Sequence, residues 1–144
     1  MAPPRTTEQR RADTLRRLAT DIDAWVATAG DRDVPCMVPL SFLWDGRSLL
    51  LSTLDTNPTA KNLMANGRVR ISLGETRDVV LIDGVATMCT PTEEEAAAFA
   101  ARAGFDPSKL ERYPYFRVRP VLIQAWREVN EFPGRDLMRD GEWI

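Results

Sequence analysis

At 144 residues, with 19 basic and 21 acidic side chains and a net charge of −2, the chain can bury one full core without disulfide or metal staples, and it carries no global field that would draw it to nucleic acid or an anionic membrane. It contains no histidine, which removes imidazole-dependent hydrolases, most catalytic zinc sites and a proximal histidine for haem. Cys36 and Cys89 sit far apart in apolar runs, so they are expected as free thiols in a reducing compartment; their spacing supports no metal site, and with no apolar run of bilayer length the protein is expected to be cytoplasmic.

One domain is expected over 1–144, with 1–8 disordered. Thr6 or Thr7 can cap a first helix carrying Leu15, Leu18 and Ile22 on one side and Arg10, Arg11, Arg16 and Arg17 on the other. From Trp25 the period changes to two. Trp25–Thr28, a turn at Gly30–Asp33 and Val34–Trp44 read as a hairpin, with Cys36, Val38, Leu40 and Phe42 on one face. The other face, with Pro35, Met37, Pro39, Ser41 and Leu43, is too apolar for open solvent and should meet a second layer or a partner chain. Asp45-Gly46 is a tight-turn signal leading into a third strand, Ser48–Thr53.

A short helix is expected around Thr59–Ala65, stopped by Asn66-Gly67, and a fourth strand at Arg68–Leu73 with Val69, Ile71 and Leu73 inward. The long strand Val79–Met88 contains Asp83-Gly84, a candidate bulge that would help a sheet curl. Thr92 and Glu95 match a capping box for a helix that stops at Gly104. After a loop at 106–114 comes a last long strand, Tyr115–Arg127, with Pro120 marking an edge or an irregular point. Residues 128–144 form a tail without periodicity. Six mostly sequential strands with three helices give a mainly β, six-stranded antiparallel barrel rather than a doubly wound sheet.

The most informative segment is Leu51–Asn62, an apolar strand running into a hydroxyl-rich turn that opens a helix. Asn57 suits the cap and Pro58 the first helical position, so first-turn N–H groups would face whatever anion sits beside Thr59, with Lys61 adding a positive charge. The plainer alternative is a solvated first turn. For Arg68 and Arg70 the plainer alternative is an outward strand face, for Arg77-Asp78 a turn ion pair, and for Trp25, Trp44 and Trp126 core or interface anchors.

Asp23–Thr28, Val38–Gly46, Leu51-Ser52-Thr53, Lys61-Asn62-Leu63, Gly67–Arg70 and Asp83–Ala86 together resemble the pyridoxamine 5'-phosphate oxidase-like FMN-binding split-barrel family over roughly residues 12–127. Within it the chain is similar to the flavin and deazaflavin oxidoreductases rather than to pyridoxamine phosphate oxidase proper. The resemblance implies a homodimer of split barrels with two cofactor sites at the interface. It places Ser52 and Thr53 at the strand end beside the cofactor, Thr59, Lys61 and Asn62 on the phosphate side, and Ser41 near the ring system. Trp126 and Arg127 would reach across from the second subunit. The slot two positions before Lys61, where the family usually carries a basic residue, holds Thr59, and Arg70 or Arg77 would have to compensate. The implied activity is hydride transfer between a bound deazaflavin (coenzyme F-420, preferred) or FMN and a small conjugated substrate. The competing reading is a non-catalytic flavin, deazaflavin or pyridoxal-phosphate binding protein.

Overall fold

The computed structural model describes residues 1–144. Its strands form one strongly curled antiparallel sheet, a half-barrel, with three helices around it. Helix α1 (Thr7–Thr20) begins with a complete capping box: Thr6 Oγ1 accepts from the Gln9 N–H at 3.1 Å and Gln9 Oε1 accepts from the Thr6 N–H at 2.8 Å. Its buried face is Arg10, Thr14 and Leu18, while Ile22 is exposed. The expectation that Arg10 faces solvent is therefore corrected: its guanidinium donates to the carbonyls of Ala125 (3.1 Å) and Glu131 (2.8 Å), which satisfies the charge inside. Arg5 is bonded to Glu131 and Thr6 opens the helix.

β1 (Asp23–Ala29) and β2 (Pro35–Ser41) form the first hairpin, with Ala24, Val26 and Thr28 buried and Trp25, Pro35, Met37 and Pro39 exposed. The run expected to extend to Trp44 breaks at Phe42, which is fully buried, and resumes as β3 (Leu43–Trp44), paired with β4 (Leu49–Ser52). α2 (Pro58–Asn66) ends at Gly67, whose φ of 70° is the left-handed stop read from the sequence. β5 (Arg68–Glu75) buries Val69, Ile71 and Leu73. β6 (Asp78–Cys89) pairs with β7 (Tyr115–Trp126), and the register slips between Asp83 and Gly84, opposite Leu122 and Pro120. Asp83-Gly84 and Pro120 are thus two sides of one bulge. A side chain at Gly84 would meet Val118 Cγ1 at 2.6 Å, so the close approach requires glycine.

α3 (Glu93–Ala103) carries the expected Thr92/Glu95 box and covers a small second core of Leu50, Phe99 and Tyr115. The main core, with Leu18, Val26, Phe42, Leu51, Ile71, Ile82, Phe116 and Ile123, fills the curl. The strand count is nine rather than six. The tail adds β8 (Asp136–Arg139) on β7 and β9 (Glu142–Trp143) on β8, strands too short to show a period. Sheet order is β2-β1-β5-β6-β7-β4-β3, with β8 and β9 branching from β7. No helix is long and apolar enough to cross a membrane.

Candidate cofactor site

The strand β4 ends at Ser52 and the chain turns through Thr53–Asn57 into α2. Asn57 occupies the cap position with extended backbone (φ −68°, ψ 143°), but its side chain does not cap; its Nδ2 donates to Thr53 Oγ1 at 3.0 Å. Pro58 has no N–H, and the first intrahelical bond is Lys61 N–H to Asn57 O at 3.1 Å. The N–H groups of Thr59 and Ala60, both buried, therefore have no acceptor within the protein. Both point along the positive end of the helix dipole, and no acidic residue occupies this first turn. That is the arrangement in which a helix start holds an anion.

Helix α2 is fastened to the first hairpin. Asn62 Nδ2 donates to Thr28 Oγ1 (3.1 Å), Asn66 Nδ2 to Ala29 O (2.7 Å), and Thr59 Oγ1 lies 3.6 Å from Cys36 Sγ. A cavity of about 320 Å³ opens there between Pro58, Asn62, Cys36 and the turn residues Gly30–Arg32. Across Cys36 it adjoins a wider groove of about 670 Å³ on the outer sheet face, floored by Ala27, Ala29 and Gly84 and edged by Met37, Arg68 and Arg70. Small residues leave this floor flat. Arg32, which lines the cavity, and Lys61, on the exposed side of the first turn of α2, make no ion pair or hydrogen bond within the chain.

Thr59 meets Cys36, Asn62 meets Thr28 and shares the cavity with Cys36 and Arg32, and Arg70 lies at the adjoining groove, while Lys61 is exposed on α2 outside the cavity lining. Within the single chain the remaining expected positions make the following contacts. Ser52 is buried and its hydroxyl donates to the Pro114 carbonyl at 2.9 Å, away from the cavity. Thr53 accepts from Asn57. Ser41 donates to Asp23 (2.7 Å) at the far end of the hairpin. Arg70 is held on Asp83, whose hydrogen bonds, then charge, raise its pKa. Arg77 reaches Glu128 at 3.4 Å on an exposed turn. Trp126, which ends β7 opposite Val79, packs edge-on to Phe132 with centroids 5.5 Å apart, and the following Arg127 lies 3.3 Å from Asp78. Arg32 was not singled out from the sequence. Its only signal was membership of the Gly30–Asp33 turn, which has no period to mark which way a side chain points.

A curled antiparallel half-barrel with a helix start presented at a strand end defines a split-barrel protein. More narrowly, the chain belongs to the pyridoxamine 5'-phosphate oxidase family, whose pattern matches residues 15–127. No curated protein matches. Among solved structures, an F-420 reductase is 19% identical with a TM-score of 0.64, covering 75% of this chain and 93% of its own. An FAD-binding protein from Mesorhizobium loti is 17% identical (TM-score 0.63; 78% and 89% covered), and HutZ, the heme storage protein from Vibrio cholerae, is 18% identical (TM-score 0.60; 76% and 88% covered). At such identities the likeness establishes the fold. The strands β8 and β9 lie beyond the matched segment.

Proposed function

We propose that the chain binds a phosphate-bearing deazaflavin, coenzyme F-420 before FMN, and uses it to move a hydride to or from a small conjugated substrate. The observation that carries this reading is the pair of unpaired N–H groups at Thr59 and Ala60, with Lys61 next in the same helical turn and Arg32 in the cavity beside Pro58. These donors fit an acidic tail. Arg32 can take the part of the basic residue the family usually has at position 59, a part that Arg70 is less free to take because Asp83 already holds it. The flat groove beyond Cys36 suits a planar ring, with Ala27, Ala29 and Gly84 beneath it and Arg68 at its edge.

When bound, the cofactor supplies the hydride chemistry. The chain's own contribution is to fix the anionic end through main-chain donors, to orient the ring against the sheet, and to exclude water from one of its faces. The exposed Trp25, Met37, Pro35 and Pro39 form an apolar surface beside that groove, which supports a homodimer whose partner would cover the ring. A carrier without turnover is favoured by one feature: the carboxylate in the wider groove, Asp83, is engaged by Arg70, which leaves no free acid or base there.

The test is titration of the purified protein with F-420, FMN and pyridoxal phosphate, followed by fluorescence and melting temperature. Lys61→Ala should weaken the bound cofactor by about tenfold or more, the loss of one charge-assisted contact of roughly 1.5–3 kcal/mol. An unchanged Kd would place Lys61 in solvent, and saturable binding of none of the three would overturn the reading. Turnover of quinones or nitroaromatics with the matching reductant separates enzyme from carrier.

A further inference from the structure

A second groove, of about 590 Å³, lies beneath the start of α3 and shares no residue with the cavities beside α2. Met88, Ala96 and Ala97 make its apolar walls, and Met88 is 57% exposed at its mouth. Its ionised groups are Glu93 and Asp106, with no lysine or arginine among the lining residues. Tyr115 lies in its floor, 7% exposed, and the phenol hydroxyl makes no hydrogen bond. Buried polar groups are almost always paired, so this oxygen stands out. Burial first, and the Asp106 carboxylate second, raise the Tyr115 pKa, which keeps the group a neutral hydroxyl that can donate or accept. Neighbouring Ser108 pulls the other way, although its own N–H and hydroxyl are given to Asp106.

We propose that this groove is a binding site for a small apolar molecule bearing one ammonium group, the hydrocarbon body lying on Met88, Ala96 and Ala97 and the ammonium shared by Asp106 and the Tyr115 hydroxyl. Each part of the lining selects against an alternative. An anion would meet two carboxylates and no cation, and a fully apolar molecule would leave the phenol as uncompensated as it is now. For a ligand to reach the buried phenol oxygen, the short turn Pro107–Lys109, which carries Ser108, would have to move aside.

The experiment uses the full chain and three probes of one shape: 2-phenylethylamine, 2-phenylethanol and phenylacetate. Binding is read from the amide signals of Met88, Ala96 and Ala97 in two-dimensional NMR titrations. The amine should saturate these signals, the alcohol should bind about tenfold more weakly, and phenylacetate should leave them unmoved. Asp106→Asn should lower amine affinity about tenfold without changing the alcohol's, and Tyr115→Phe should weaken both. Equal binding of all three probes, shifts confined to residues outside the groove, or amine affinity unchanged in both variants would overturn the proposal. Because the groove is separate from the α2 cavities, F-420 titration of the same samples reports independently on the cofactor site.

Discussion

Glu131 offers the most quantitative test of the energetics. Its side chain is 3% exposed and its carboxylate accepts four N–H groups: the Arg5 backbone (2.8 Å), Arg5 Nε (3.0 Å), Arg5 Nη2 (2.8 Å) and the Arg127 backbone (2.8 Å). The Arg5 hydrogen bonds, opposed by burial, hold its pKa down to about 2 from an ordinary 4.5. At 1.36 kcal/mol for each pH unit of displacement, this is worth about 3 kcal/mol of folding stability. The sign follows from the direction of the shift. A carboxylate depressed in the folded state gives its full contribution above pH 4.5 and loses it as pH falls towards 2. Glu131→Gln keeps one acceptor oxygen but removes the charge, so it should cost about 2–3 kcal/mol at pH 7. Urea unfolding of both proteins between pH 7 and pH 3 should show an unchanged slope with denaturant and a stability gap that narrows below about pH 4.5. A gap under about 0.5 kcal/mol at pH 7, or one indifferent to pH, would refute the reasoning.

Arg10→Met should destabilise the chain by about 1–3 kcal/mol in the same urea assay, because the carbonyls of Ala125 and Glu131 lose their buried donor. Gly84→Ala should cost about 1–3 kcal/mol and lower the melting temperature, since the new methyl would press on Val118 Cγ1 at 2.6 Å and the Arg119 carbonyl at 2.8 Å. Thr92→Ala should remove about 1 kcal/mol by opening the α3 capping box, with Glu95 still held by Arg117 at 2.8 Å.

Elements with a local chemical signature could be read from the sequence. Thr92 and Glu95 marked a helix start, Asn66-Gly67 a helix stop, and Asp83-Gly84 with Pro120 the bulge that lets the sheet curl. Arg10 was misplaced because helical periodicity counts any guanidinium as polar, whereas its partners are carbonyls from 115 and 121 residues further along the chain. β8 and β9 escaped because strands of four and two residues exist only through pairing with β7 and with each other. At the site, Asn57-Pro58 located the helix start, but not that Asn57 would bond Thr53 and so leave the first-turn donors open. Ser52 illustrates the converse: a hydroxyl at the right place in the chain is turned inward because the 113–114 carbonyls need a donor.

The ties from α2 to β1 have a kinetic consequence. α2 runs straight into β5, whose Arg70 pairs with Ala27 of β1, so Asn62 and Asn66 find Thr28 and Ala29 as soon as these two neighbouring strands come together. The placement of α2 against the first hairpin is then an early product of folding, set by the pairing of β1 with β5 and not by closure of the curl. Whatever binds there engages only the folded chain, and at a hundred times its Kd it would add about 2.7 kcal/mol to folding stability.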